Sequence, residues 1–220
     1  LNSQLSSVPA CQSIIKKAVV KRLMQGHRTT SLPETGAEYK IRFMLRKNVC
    51  EIMLDTTGDG LHKRGYRRNS MEAPIRETLA ATIADLGRVR RDSLVEDPFC
   101  GSGTLLIEAA QKAMNIAPGL KRRFAAERYS FVPAAVWAEQ RQKALAESKL
   151  DVGFEAFGYD IDPAAVALAN ANAKLAGVEK RCHFEVADVA DFAARSEAIV
   201  LTNPPYGERM STIEGAAKLA

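Results

Sequence analysis

The chain reads as a doubly wound α/β fold on a mostly parallel sheet, preceded by part of a separate α+β unit. Three observations predict it. From Ala73 onward, short apolar runs alternate with helical patterns, which is how βαβ units with right-handed crossovers are written. The polar landmarks Asp97, Asp160, Asp188 and Asn203 each follow an apolar run. They therefore fall at the carboxyl ends of strands, where such folds bind ligands. Residues 1–54 follow a different pattern, one helix and two strands, too little to close a core alone.

The elements follow in order. A helix is expected from about Val8 to Met24, because Pro9 suits a first turn and Cys11, Ile14, Ile15, Ala18, Val19 and Leu23 recur at helical spacing. Tyr39 to Arg46 alternates, apolar at odd positions and mostly basic at even ones, as in a half-exposed strand with a basic outer face. Lys47-Asn48 turns into a second strand, Val49 to Leu54. Residues 1–54 are thus expected to be the tail of a larger domain. Residues 55–72 form a linker: Thr56-Thr57-Gly58-Asp59-Gly60 breaks the pattern, and Leu61 to Arg68 is basic, either a solvated tether or a phosphate contact.

Residues 73–220 are the α/β part. Its first helix covers about Pro74 to Leu86, with Pro74 in the first turn. Strands are expected at Leu94 to Asp97, Ala156 to Asp160, about Cys182 to Val186, and Ala198 to Leu201. The helix after the first strand runs to about Met114, and the next has Asp162 as N-cap, Pro163 at its first position and Gly177 as its stop. Residues 115–150 read as a plain helical insertion carrying Lys121-Arg122-Arg123 and Trp137. Four strands are few for a doubly wound sheet, and Ala220 follows Tyr206 closely, so the sheet is expected to be incomplete.

Composition narrows the partners. A net charge of +5, clustered at Lys16-Lys17, Lys21-Arg22, His62 to Arg64, Arg67-Arg68, Arg88 to Arg91 and Lys121 to Arg123, favours a polyanion. The four cysteines are scattered without a Cys-x-x-Cys pair and the three histidines lie far apart. Neither a metal site nor a disulfide framework is expected, and a reduced cytoplasmic setting fits. No apolar run approaches the roughly 18 residues of a membrane span, so no membrane partner is expected.

Two motifs carry the chemistry. In Asp97-Pro98-Phe99-Cys100-Gly101-Ser102-Gly103-Thr104, Gly101 and Gly103 sit between a strand and a helix and let the backbone approach a ligand. A dinucleotide fingerprint needs a third glycine, but position 106 is Leu. Asp97 suits the charged amino group of a methionine moiety and would repel a pyrophosphate, which selects S-adenosylmethionine over NAD. Asp160 is placed for the ribose hydroxyls, Ile161 for the adenine face and Asp188 for the adenine amino group, with Phe99 and Thr104 flanking the loop. In the second motif, Asn203 offers a side-chain oxygen and Pro204 a backbone carbonyl to the two N–H bonds of a flat amine. Two such acceptors favour a pyramidal nitrogen and free its lone pair for a methyl sulfonium. Pro204 and Pro205 stiffen the turn and Tyr206 stacks on the base. Catalysis then rests on positioning and preorganised acceptors, with no strong general base. A target inside a duplex would be unstacked first.

The run Leu61 to Arg67, Ala73-Pro74-Ile75-Arg76-Glu77, Asp97 to Thr104 with Glu108-Ala109-Ala110, and Asn203-Pro204-Pro205-Tyr206-Gly207-Glu208-Arg209 together resemble the THUMP-domain RNA methyltransferases. Among these the chain is most similar to the bacterial 23S ribosomal RNA guanine-N2 methyltransferases, once labelled N6-adenine DNA methylases. The resemblance implies a Rossmann-like class I S-adenosylmethionine-dependent methyltransferase preceded by the second half of an RNA-binding THUMP module. It also implies that Pro74 to Glu77 lie near the cofactor. Asn-Pro-Pro-Tyr alone is shared with DNA adenine and protein glutamine methyltransferases. A DNA adenine-N6 enzyme, a transfer-RNA guanine-N2 enzyme, and an RNA-binding module that has lost activity are the competing readings.

Overall fold

The computed structural model describes residues 3–67 and 75–205. The chain divides into two compact units, one within Leu1–Asp59 and Phe124–Ala134, the other within Gly60–Arg123 and Ala135–Ala220. The backbone therefore passes from one unit to the other at 59/60, 123/124 and 134/135.

In the first unit, α1 (Val8–His27) starts on Ser7, whose Oγ accepts the Ala10 N–H at 3.4 Å, and ends where Arg28 turns left-handed at φ 52°. Its apolar positions are not buried: Ile14 and Leu23 are exposed. β1 (Ile41–Arg46) and β2 (Val49–Leu54) pair antiparallel, Ile41 opposite Leu54 and Arg46 opposite Val49. Lys47 and Asn48 both have positive φ, 49° and 60°, which matches a two-residue hairpin turn to the strand twist. Asn48 also accepts the Gln4 N–H at 2.8 Å and donates its own N–H to Ser3 Oγ at 3.1 Å.

Segment 124–134 docks onto this unit. Ala125 and Ala126 donate to the carbonyls of Thr57 and Thr56 at 3.3 and 3.1 Å, and the Tyr129 hydroxyl donates to the Asp55 carbonyl at 2.5 Å. The insertion is thus not the plain helical excursion expected. It contributes a short 3₁₀ turn (Ala125–Arg128) to the N-terminal unit, and then α4 (Ala134–Ala146), which from Ala135 on belongs to the second unit. Its sequence does not signal this, because the docking runs through backbone hydrogen bonds, the Tyr129 hydroxyl and packing of Tyr129 and Phe131 on Tyr39, a partner about 90 residues away.

The second unit holds α2 (Glu77–Leu86), β3 (Leu94–Asp97), α3 (Thr104–Ala113), β4 (Glu155–Asp160), α5 (Pro163–Ala176), β5 (Cys182–Val186), a 3₁₀ turn (Val189–Asp191) and β6 (Ile199–Val200). Pro74, expected in the first turn of α2, lies outside the described residues. The four strands form one parallel sheet in the order β5-β4-β3-β6. α3 packs on β3 and β4, α5 on β4 and β5, and α2 beside α3. Their shared core includes Val95, Leu106, Ile107, Phe154, Ala156, Ala169 and Val178, each nearly inaccessible to water, and burying each large aliphatic side chain contributes about 1.5–3 kcal/mol. α5 begins at Asp162, whose Oδ1 accepts the Ala164 N–H at 2.8 Å, has Pro163 in its first turn and ends at Gly177, as the sequence predicts.

Chain order reverses at β3: β4 and β5 lie to one side and β6 to the other. The crevice outside the carboxyl ends of β3 and β6 is a topological switch point, the usual ligand position in open α/β sheets. Among the described residues no helix is long and apolar enough to cross a membrane.

Candidate active site

The sheet brings Asp97, the glycine loop, Asp160 and Asn203 to the same end. Asp97 closes β3 and is almost wholly buried. Its Oδ1 accepts the Phe99 N–H at 3.0 Å. Burial pushes its carboxyl up to about 7, and the nearby Asp160 adds to the rise. Phe99 N–H and Thr202 pull the other way, although the buried Thr202 hydroxyl makes no hydrogen bond of good geometry. A buried carboxylate with so little compensation is a ready partner for a cation.

Gly101 and Gly103 have left-handed φ, 51° and 76°, yet their surroundings differ. A Cβ on Gly101 would meet open space, whereas one on Gly103 would lie 2.8 Å from the Phe184 ring and 3.1 Å from Ala169. Gly101 keeps a surface clear for a ligand, and Gly103 lets α3 start against the core. Gly103 provides no side-chain cap, so the first N–H groups of α3 point towards this space without internal acceptors, an arrangement suited to a carboxylate.

Asp160 sits at the end of β4. Its Oδ2 accepts the Gly101 N–H at 2.9 Å and its Oδ1 the Asp162 N–H at 3.0 Å. It therefore shapes the glycine loop as well as offering each oxygen's remaining lone pair to a ligand hydroxyl. Ile161, immediately after it, is 68% exposed, an apolar face with no protein cover. Asp188 is exposed, and its Oδ1 caps the following 3₁₀ turn through Ala190 N–H at 2.9 Å, so one of its oxygens is already engaged. Thr104 is buried, and its hydroxyl is taken up by Ser102 at 3.1 Å and Arg67 at 3.3 Å. Only its backbone N–H remains for a ligand. Asn203 is half-buried, Pro204 exposed and Pro205 half-buried, all just past β6. Tyr206 lies outside the described residues.

Several residues that hold this site escape sequence reading. Asn172 on α5, almost completely buried, donates to the Ser102 carbonyl at 3.0 Å and braces the loop from behind. An amide on the same helix face as Ala165, Ala169, Ala173 and Ala176 was the available signal, although Asn170 nearby blurs it. The basic run is no tether: Tyr66 is buried and donates its hydroxyl to Glu108 at 2.9 Å, which also pairs with Arg64 at 3.4 Å. Arg67 pairs with Glu77 at 3.2 Å and donates to the Ile75 carbonyl at 3.1 Å and to Thr104. Arg64 and Arg67 are thus committed to carboxylates, which corrects the expectation of a solvated or phosphate-facing linker. Burial raises the Glu108 carboxyl and, far more, the Tyr66 hydroxyl. Arg122, from the basic cluster of the insertion, is buried too and donates to the Gly60 carbonyl at 2.8 Å.

On the other sheet face, Glu96 grips the connection that leads into β6. Its carboxylate, nearly inaccessible, accepts the Arg195 N–H at 2.8 Å and pairs with the Arg195 guanidinium. That guanidinium lies 3.8 Å from the Phe157 ring centre and donates to the Tyr159 hydroxyl at 2.9 Å. The Leu201 N–H donates to the Glu96 carbonyl at 2.9 Å, so the approach to Asn203 is pinned at two points to one residue.

A depression of about 650 Å³ opens elsewhere, among Arg90, Arg91, Lys112, Asp92 and Asp151, near the amino ends of β3 and β4. It mixes both signs of charge and contains none of the residues above. Among the described residues no group of three or more His, Cys, Asp or Glu is arranged to hold a metal.

Comparison with known proteins agrees with this geometry. A family described as "RMKL-like, methyltransferase domain" matches residues 64–219. The chain is 42% identical over 213 residues to "Putative RNA methyltransferase YpsC" of Bacillus subtilis, covering 96% of this chain and 55% of that protein. It is 41% identical over 212 residues to "Ribosomal RNA large subunit methyltransferase K/L" of Shewanella baltica, covering 93% of this chain and 30% of that protein. Among solved structures, that of "SMU.472, a putative methyltransferase complexed with SAH" superposes with a TM-score of 0.91 at 38% identity, covering all of this chain and 58% of that one. The fold is therefore the Rossmann-like methyltransferase fold. The chain spans about half, or less, of the proteins it matches.

Proposed function

We infer that this chain, which belongs to the RMKL-like methyltransferase domain family, binds S-adenosylmethionine at the carboxyl ends of β3 and β4 and methylates the exocyclic N2 amine of a guanosine in 23S ribosomal RNA. The observation that carries the reading is the placement of Asp97, the open Gly101 surface and Asn203 around one switch point of the sheet. The bound SAH in a close structural relative and the RNA named for the two protein relatives support it.

S-adenosylmethionine would supply an electrophilic methyl group on a sulfonium. The residues fit it. Asp97, barely compensated in its buried position, would hold the methionine ammonium, and the uncapped start of α3 the methionine carboxylate. Asp160 would take the ribose hydroxyls and Ile161 the adenine face. Asp188 would meet the adenine amino group with its remaining oxygen, and Phe99 would border the loop. The Asn203 amide makes no hydrogen bond among the described residues, so its oxygen is available to the amine, with Pro204 supplying the second acceptor. Pro205 and Tyr206 complete the reading as stiffener and stacking face. The amine proton leaves after attack, so the protein's task is to hold the lone pair towards the methyl group.

The test is nucleoside mass spectrometry of unmodified 23S RNA after incubation with the protein and S-adenosylmethionine. N2-methylguanosine is expected. Methylation of DNA adenine at N6 with RNA left unmodified would replace the reading by the DNA enzyme, and N2-methylguanosine formed only in transfer RNA would move the substrate.

A further inference from the structure

The basic run Leu61 to Arg67 ends inside the second unit, where Arg67 touches the first residue of α3. The Arg67 side chain is largely buried, and its Nη2 pairs with the buried Glu77 at 3.2 Å. Its Nη1 spends both protons nearby, one on the Ile75 carbonyl at 3.1 Å and one on Thr104 Oγ1 at 3.3 Å. Glu77 balances the guanidinium charge. At Thr104, then, Arg67 is a donor fixed in place rather than a free cation.

A fixed donor sets the direction of the next hydrogen bond. A hydroxyl has one proton and two lone pairs, and a guanidinium cannot accept, so the Thr104 oxygen accepts from Arg67. Thr104 Oγ1 also lies 3.1 Å from Ser102 Oγ, and either oxygen could be the donor of that pair. If Ser102 donated, the proton of the buried Thr104 would have no acceptor among the described residues, which is costly. Thr104 therefore donates to Ser102, and the Ser102 proton is the one left over. Ser102 is only 7% exposed, and its hydroxyl has no other partner among the described residues. Asn172 holds the Ser102 carbonyl at 3.0 Å, which fixes the backbone behind that hydroxyl. Ser102 precedes Gly103, the uncapped start of α3, where the proposed site receives the methionine carboxylate. A carboxylate there supplies the acceptor that the Ser102 proton lacks.

We propose that Arg67 is a positioning residue for the methyl donor: acting through Thr104, it turns the Ser102 hydroxyl into a donor to the methionine carboxylate of S-adenosylmethionine. This role rests on the reading that the site takes S-adenosylmethionine. It gives the end of the basic run a part in recognising the cofactor, without any contact between Arg67 and the cofactor itself.

The test is calorimetric titration of the full chain with S-adenosylmethionine and with decarboxylated S-adenosylmethionine, which keeps the sulfonium and the amine and lacks only the carboxylate. Thr104→Val breaks the relay but leaves Arg67 paired with Glu77, so the fold is kept. It is expected to weaken S-adenosylmethionine about tenfold and the decarboxylated form less than about twofold. Thr104→Ser, which keeps the hydroxyl, is expected to bind like the wild type. Ser102→Ala should show the same selective loss. So should Arg67→Lys, which keeps a charge for Glu77 but not the planar fork. Because the three residues act in series, Arg67→Lys combined with Ser102→Ala should bind no more weakly than Ser102→Ala alone. Losses that multiply, an equal loss for both ligands, or wild-type affinity in Thr104→Val would overturn the relay and leave the cofactor reading in place. A wild-type chain that binds neither ligand would remove the cofactor reading and the relay with it.

Discussion

In the proposed site, Asp97 is the single side chain on which both cofactor affinity and stability would depend. Its carboxyl titrates near 7 in the folded chain, against about 3.9 in an unfolded one. The folded state keeps a proton that the unfolded state releases, so the stabilising contribution is full below about pH 4 and is lost as pH rises through 7. Binding runs the opposite way, because only the carboxylate attracts a cation. The affinity for S-adenosylmethionine is expected to rise about tenfold between pH 6 and pH 8, followed by calorimetry. Asp97→Asn should flatten that profile at its low-pH level and, at pH 8, raise the melting temperature of the free protein. An unchanged pH profile in Asp97→Asn would locate the titrating group elsewhere.

At the scale of elements, the buried ionic cluster and the Glu96 clamp make separable predictions. Glu108 on α3 receives both Tyr66 and Arg64 from the former linker. Glu108→Ala leaves a buried hydroxyl and a largely buried guanidinium without their acceptor, at a cost of about 3–5 kcal/mol. Thermal denaturation should show a fall on the order of 10 °C. A change of only a degree or two would mean that water replaces the carboxylate easily. Arg195 acts on the other side of the sheet. Arg195→Met keeps stem volume over Phe157 but frees the chain leading to Asn203. It should lower kcat on the order of tenfold with the cofactor Kd nearly unchanged. Parallel loss of both would mean that the clamp supports the whole sheet rather than the acceptor loop.

These two clusters also mark how far the sequence could be read. The strands Leu94–Asp97 and Cys182–Val186 and the capped helix from Pro163 were legible because their signals are local: apolar runs, an Asp N-cap, a proline and a stopping glycine. Asp97, Asp160 and Asn203 were legible for the same reason, each closing an apolar run. The basic run at Arg64 and Arg67 was misread because charge in a sequence carries no sign of its partner. Glu108 lies 44 residues beyond Arg64 and Glu77 ten beyond Arg67, both on the buried faces of helices. Asp188 follows β5 and Thr104 opens α3, as the local signals predict, but the cap and the hydroxyl contacts that occupy them depend on the folded loop.

For the molecule as a whole, the proposed function separates holding the cofactor from orienting the acceptor. The groups read as holding S-adenosylmethionine stand at β3, β4 and α3, and those read as orienting the amine stand beyond β6, across the switch point from them. A mutation on one side of the switch point should therefore leave the function of the other side measurable.

That separation is tested most directly by pairing calorimetric titration of S-adenosylmethionine with single-turnover methyl transfer in Asn203→Ala. Methyl transfer should fall on the order of 10²-fold or more while the cofactor Kd stays within about twofold of the wild type. Asp160→Ala, measured alongside, should show the reverse order, with binding lost first. Equal loss of binding and turnover in Asn203→Ala would contradict the assignment of Asn203 as the acceptor that orients the amine.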